Sequence, residues 1–311
     1  MAIDKTRWGI IFCPKKSFAR PQKRWEEIEK CLIAEDIDFD FVQSEKKGGV
    51  ERLVKMFINS GYKTIIVVGG DSALNDAVNS IMQVDIEKRK DLALGMIAYG
   101  VMNDFAHFWG VDESDDKTVI RALKQRRIKK IDLGCIRYTN NNGDACIRYF
   151  LNCVNIGYVA AIMNLRRKTQ HIFGSRTLSF LFSFILLIFQ RLDYKMHIKI
   201  NTDNIERKIM TICIGNALGY GQTPNAVPYN AQLDVSLVYQ PKITQLLEGI
   251  YLFIRGKFLN HHSVHPYRTK KIEILTAGRA LVGVDGRLMR TPVSQFNIFI
   301  SPEAINFILP D

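Results

Sequence analysis

The sequence predicts an α/β domain, a parallel sheet with helices on both faces, followed by a β-rich, mostly antiparallel second domain. Three observations predict it. In the first half, short apolar runs alternate with stretches of helical spacing. Two of those runs, "KTIIVVGGD" and "LALGMIAYG", are apolar without alternation, as strands buried on both faces are. After the basic stretch "KQRRIKK", strand signals dominate. A chain of 311 residues is long enough to bury two such cores.

The elements follow in order. "WGIIFCP" is a first strand stopped by Pro14. "PQKRWEEIEKCLIAED" has helical spacing, with Trp25, Ile28, Leu32 and Ile33 on one face. "DFDFVQS" alternates as a strand does, and "GGVERLVKMFINSGY" is an amphipathic helix ended by Gly61. "VVGGDSALNDAVNSI" begins as a strand, breaks at Gly69 and Gly70, and continues as a helix opened by Asn75 and Asp76. "DDKTVIRALKQRR" is a further helix. The second domain reads as the strands "IDLGCIRYT", "RYFLNCVNIG", "YKMHIKIN", "RKIMTICIGNA", "LDVSLVY", "KKIEILTA", "RALVGVDG" and "FNIFIS". Turn signals such as "NNNGD" and "NTDN" separate them. The expected domains are 1–130 and 131–299, with 300–311 returning to the first.

The net charge of +12 favours anionic partners: nucleotide, nucleic acid or an anionic membrane surface. Neither an RNP pattern nor a helix-turn-helix signal accompanies "KQRRIKK", so nucleic acid is not predicted; a solvated helix end or a membrane-facing patch is. Six cysteines with no CxxC spacing predict small core residues rather than a zinc site. The N-terminus lacks a long apolar run after a basic start, which predicts a cytoplasmic chain without a signal peptide. The uncharged part of "LSFLFSFILLIFQRL", Leu178 to Leu192, is shorter than the ~20 residues of a spanning helix. It reads as a buried helix or as a wall for an acyl chain. The basic "NLRRKTQH" just before it suits peripheral docking on anionic lipid, or simple interdomain packing. "NHHSVHPY" groups His261, His262 and His265, but no cysteine or carboxylate lies close in sequence, so a solvated loop is expected.

Three loops carry the chemistry. Gly69-Gly70-Asp71 follows a buried strand and precedes a helix, where backbone N–H groups approach phosphate. An aspartate there repels phosphate unless Mg2+ lies between them or it accepts a hydroxyl proton. The plainer alternative is a tight turn in which Asp71 caps the helix. "AYGVMNDFAHFWG" places Gly100, Asn103 and Asp104 after the next strand. "CPKKSFAR" offers Lys15, Lys16 and Ser17 to phosphate oxygens after the first. Parallel strands put these loops at one edge of the sheet, where ligands of such folds bind.

With these residues in place, the chain resembles the diacylglycerol kinase catalytic-domain family, which includes bacterial lipid kinases, sphingosine kinases and ceramide kinases. The motifs are "CPKKS" at Cys13, "GGDSALND" at Gly69, "AYGVMNDFAH" at Ala98, "NAQLD" at Asn230 and "VDGR" at Val284, in the family's order. "FLNCVNIGYVA" and "ICIGNALGYGQTPNA" also look like the family's second domain. The resemblance implies a nucleotide-binding α/β domain and a β-rich lipid-substrate domain with the site in their cleft. It implies transfer of the ATP γ-phosphate, with Mg2+, to the hydroxyl of a lipid such as diacylglycerol or a sphingoid base. By position, Gly69, Gly70, Asp71, Ser72 and Asn75 would hold nucleotide or its metal. Gly100, Asn103 and Asp104 would build the second phosphate-side loop, and Ser44 would face the nucleotide. Asp285 matches the aspartate at the family's catalytic centre, and it or Asp71 would take the hydroxyl proton. Asn230 and Asp234, with Asp71, would be the metal positions.

The departures cluster in these motifs. Ser72 replaces a glycine, and is strained if that glycine has a positive φ. Ala73 and Val101 each replace a threonine, and Asp76 a glutamate. Arg287 replaces a glutamate, a reversal of charge that suits direct contact with nucleotide phosphate. Asn230 and Ala231 replace an aspartate and a glycine. A pseudo-kinase that binds nucleotide or lipid without turnover is therefore the alternative. An NAD kinase shares the GGDG loop but is disfavoured by "NDFAH" and the apolar stretch. The strand edges of an antiparallel second domain would also allow a homodimer.

Overall fold

The computed structural model describes residues 7–14, 21–45, 49–99, 103–111, 115–140, 142–173, 193–242, 245, 248–249, 251–252, 255–289 and 295–309. Two compact units emerge, residues 1–132 with 303–311 and residues 133–302. Lys15, Lys16, Ser17, Gly100, Val101 and the apolar stretch Leu178–Leu192 lie outside the described residues. No helix among the described residues is long and apolar enough to cross a membrane.

In the first unit, β1 (Trp8–Phe12), β2 (Phe39–Gln43), β3 (Thr64–Gly69) and β4 (Ala93–Ala98) run parallel in the order β2-β1-β3-β4. Beside β4, Asn306 and Phe307 of β15 (Phe296–Ile308) add a further parallel segment. Alternation along the strands assigns the helices to faces. Phe12 meets Trp25 of α1 (Pro21–Ala34) at 5.6 Å between ring centroids. On the opposite face, a Cβ at Gly9 would fall 2.8 Å from Phe57 of α2 (Gly49–Asn59). Gly95 is in register with Ile66 and Ile10, so it shares the face of Phe12. A Cβ there would fall 3.1 Å from Leu123 of α6 (Asp116–Gln125). α1 and α6 thus cover one face, and α2 packs with α3 (Asp71–Ile81) on the other.

Two local expectations change. Ile33 is exposed while Trp25, Ile28 and Leu32 are buried, because Ile33 sits 100° around the helix from Leu32 and leaves the stripe. The helix expected to open at Asn75 and Asp76 starts at Asp71, with Gly70 as its cap. Helix α6 begins under Asp115, whose carboxylate accepts the Thr118 N–H at 3.0 Å, and stops at Arg126 in the left-handed region (φ 52). Strand β5 (Ile128–Thr139) follows at once, so "KQRRIKK" is a helix end, a cap and a strand start.

The second unit is antiparallel throughout its described pairings. β5 forms a hairpin with β6 (Ala145–Phe150). The rest runs β14 (Arg287–Leu288), β13 (Val282–Val284), β7 (Cys153–Gly157), β9 (Asp203–Gly215), β8 (Tyr194–Ile200), β12 (Lys271–Thr276) and β15. β10 (Leu233–Tyr239) pairs with β9 and with β11 (Val264–Thr269). Ile198, Ile212, Ile272 and Ile298 lie in its core with no exposed surface. "RYFLNCVNIG" is two strands, not one, because Leu151 and Asn152 turn between β6 and β7. Of the loop expected over "NHHSVHPY", Val264–Tyr267 belong to strand β11; Pro266 is tolerated opposite Ser236 because, among the described residues, β11 pairs with β10 alone. The basic "NLRRKTQH" lies in α7 (Tyr158–Phe173).

Candidate active site

The chain leaves the strands of the first unit at one edge. There Cys13 donates its N–H to Val68 (2.9 Å), Ser44 to Phe12 (2.8 Å) and Tyr99 to Gly69 (2.9 Å). The connections from β1 run to β2 on one side and onward to β3 on the other. The ends of β1 and β3 therefore frame a switch-point crevice. Glycine is needed at the centre of it: a Cβ on Gly69 would lie 3.1 Å from both the Ala73 and Cys13 side chains. Gly70 is extended (φ −99, ψ 176), and the first-turn N–H groups of α3 point past it. Ser72 is helical, so the strain considered for it does not arise. A Cβ on Gly49 would fall 2.7 Å from the Ser44 hydroxyl, which therefore owes its place to a bare residue at the start of α2.

Asp71 is the first residue of α3 and only 6% exposed. Its Oδ2 accepts the Phe105 N–H at 3.4 Å, which joins the two motif loops. Phe105 belongs to α5 (Asp104–Phe108), which the fully buried Asn103 precedes. Two aspartates, Asp71 and Asp104, thus begin adjacent helices. Burial pushes the Asp104 pKa up, and His107 pulls it back in part. Asp104 Oδ2 is buried with no hydrogen-bond partner among the described residues. A desolvated carboxylate without a hydrogen-bond partner suits a divalent cation. Asn75 lies deeper, fully buried one turn along α3, where Asn79 Nδ2 donates to its side-chain oxygen at 3.2 Å.

A raised folded-state pKa means the folded chain holds that proton more tightly than the unfolded chain. The cost of the charge is complete above the folded pKa and disappears as pH falls through it. Asp104→Asn is therefore expected to raise the melting temperature of the nucleotide-free protein at about pH 7, and by less at about pH 4. Thermal melts at the two pH values check this; an unchanged or lower melting temperature at neutral pH contradicts it.

In the second unit, Asp285 and Gly286 form the two-residue turn between β13 and β14. Both have positive φ (43 and 73), as a type I′ hairpin turn requires. The turn points the Asp285 carboxylate inward, where it is 3% exposed. Oδ2 accepts the Leu151 N–H at 2.7 Å, and Oδ1 accepts those of Asn152 and Cys153, each at 2.9 Å. Burial raises its pKa above the ordinary carboxylate value; these donors and the nearby Arg148 oppose that without cancelling it. Asn216 braces the Leu151–Asn152 turn that holds this carboxylate, donating Nδ2 to the Leu151 carbonyl at 3.0 Å and its N–H to that of Asn152 at 2.8 Å. Arg287 is half-buried on β14, opposite Val284. Arg148 and Asn216 are absent from the sequence-based site; the segments "RYFLNC" and "IGNA" contain them but mark neither as a site residue.

The metal position expected at Asn230 and Asp234 does not fit a metal. Arg268 bonds both Asp234 oxygens, Nε at 2.7 Å and Nη2 at 3.3 Å. Asn230 is neutral, and its side-chain oxygen accepts the Gln232 N–H at 2.9 Å. A guanidinium already supplies the positive charge. Ala231 between them keeps φ 55, a conformation glycine adopts without cost. A nearby cavity of about 230 Å3, lined by Thr223, Ser236, Tyr267 and Arg268, is smaller than drug-sized ligand pockets of roughly 300–1,000 Å3.

Residues 7–136 match the diacylglycerol kinase catalytic domain. Residues 152–309 match the YegS C-terminal NAD kinase beta sandwich-like domain. The chain belongs to the diacylglycerol kinase family. One relative, "Putative lipid kinase YtlR" of Bacillus subtilis, is 22% identical over 96% of this chain and 98% of its own. "A putative diacylglycerol kinase from Bacillus anthracis str. Sterne" shares the fold, with a TM-score of 0.74 at 18% identity over 97% of each chain. A yeast NADH kinase solved with NADH matches with a TM-score of 0.53 at 9% identity, over 96% of this chain and 82% of that one. The diacylglycerol kinase fold thus extends through both units.

Proposed function

We propose that this member of the diacylglycerol kinase family transfers the γ-phosphate of ATP to the hydroxyl of a lipid at an anionic membrane surface. The observation that carries the reading is the bond from Phe105 N–H to Asp71 Oδ2, which ties the start of α3, at the switch-point crevice, to α5. Gly69 and Gly70 let the phosphates approach, and the N-terminus of α3 orients them. Asp71 and Asp104 would hold Mg2+, which when bound would neutralise charge on the transferred group. In the second unit Asp285 is held rigid by three amides, and its raised pKa makes it a better acceptor for the hydroxyl proton. Ser44 and Arg287 are assigned to the nucleotide side, Arg287 as a direct phosphate contact.

The experiment is transfer from labelled ATP to extracted lipids, with NAD as a control acceptor. Asp71→Ala is expected to reduce lipid labelling by about 10²–10³-fold or more. Arg287, where the family has a glutamate two residues from Asp285, favours a second reading: a binder without turnover. Nucleotide binding with no transfer to any lipid class would establish that second reading, and labelled NAD would establish an NAD kinase.

A further inference from the structure

Glu248, His261 and His262 bring their ligand atoms within 4.8 Å of one another. All three lie in residues 133–302, away from the motifs above. We propose that they bind a transition-metal dication of the Zn2+ class, as a clasp between the stretch carrying Glu248 and the turn that leads into β11. Sequence separation hides the site. His261 and His262 are adjacent, but the carboxylate comes from a helical stretch that includes residues 248–249 and 251–252.

His261 is the anchor. It is 4% exposed, and its two ring nitrogens face backbone groups whose roles are fixed. Nε2 lies 3.0 Å from the Gln245 carbonyl, which can only accept. Nδ1 accepts the Ser263 N–H at 3.2 Å. These partners put the ring proton on Nε2 and leave the lone pair on Nδ1. That is the state of a metal-binding histidine whose other nitrogen donates to a carbonyl. A metal would displace only the Ser263 amide. The ring also packs on the stretch carrying Glu248, since a Cβ at Gly249 would fall 3.6 Å from it.

The other two ligands are exposed and adjustable. The His262 ring centroid is 4.4 Å from that of His261, and its Nε2 faces the Ser263 hydroxyl, a group that turns to donate or accept. Tetrahedral zinc with bonds of about 2.0–2.1 Å places its ligand atoms about 3.3 Å apart. Rotation of Glu248 and His262 closes the remaining gap. Two imidazoles and one carboxylate suit Zn2+, Co2+ or Ni2+, whereas Mg2+ prefers oxygen alone. Water would complete the fourth position.

The test is calorimetric titration of the chelator-treated full chain with Zn2+, and with Co2+ as a spectroscopic probe. One equivalent of Zn2+ is expected, and Mg2+ at the same concentration is expected to give no binding heat that depends on these residues. Because both side chains are exposed, Glu248→Gln and His262→Ala leave the fold intact. Each is expected to weaken Zn2+ binding about tenfold or more. The Co2+ complex is expected to show d–d bands without a thiolate charge-transfer band. Zn2+ affinity unchanged in both variants, absent from the parent chain, or accompanied by a thiolate band overturns the site.

Discussion

Asp285→Ala is expected to lower the unfolding free energy by about 3–5 kcal/mol, in addition to any loss of phosphate transfer. The carboxylate accepts three backbone N–H groups, from Leu151, Asn152 and Cys153, at 2.7–2.9 Å. Alanine leaves all three facing a small void. Each unsatisfied buried donor costs about 1–3 kcal/mol, reduced where water enters. The backbone adds to the cost, since aspartate tolerates the φ of 43 in this turn better than alanine does. Asp285→Asn keeps one accepting oxygen and turns an amide toward a donor, so its loss falls between those of the parent and the alanine variant. Urea unfolding of the three proteins orders them. An alanine variant as stable as the parent would remove the bracing role, and its inactivity would then report chemistry alone.

Gly215→Ala is expected to cost about 3 kcal/mol. A Cβ there would stand 2.0 Å from Thr223 Oγ1, 2.7 Å from Thr223 Cβ and 2.8 Å from the Ala217 carbonyl. Thr223 cannot simply rotate, because its hydroxyl donates to that carbonyl at 2.9 Å and the residue is buried. The next residue is Asn216, which braces the turn that holds Asp285. The substitution therefore disturbs the support of Asp285 indirectly. Thermal unfolding measures the cost; Gly215→Ala with the parent's melting temperature would show that this segment yields freely.

The first unit was legible because its signals are local. Fully buried strands are apolar throughout, helices carry a stripe, and glycines mark the strand ends. The meeting of Asp71 with the α5 loop followed from adjacent parallel strands alone. The second unit was legible as strands but not as a site. The donors around Asp285 are backbone amides of Leu151, Asn152 and Cys153, and an amide leaves no trace in side-chain pattern. Those residues also run on from the apolar "RYF", which hid the turn. β11 was missed because Pro266 and the histidines read as loop, and an edge strand needs a ladder on one side only. Asp234 kept the family's acid, yet its distant partner Arg268 changed what that acid can hold.

The discontinuity of the first unit has a consequence for how the chain is made. Phe307 packs against Phe105 (5.3 Å between ring centroids) and Trp109 (6.0 Å), so it buttresses the short helix whose amide reaches Asp71. Residues 303–309 leave the ribosome only after the whole second unit. At about 5–20 residues per second, β4 waits on the order of 10–40 s for its last neighbour. Through that interval the nascent first unit exposes the β4 edge and the Phe105 ring, surfaces that invite aggregation or a chaperone. The candidate nucleotide site is encoded early and assembled last.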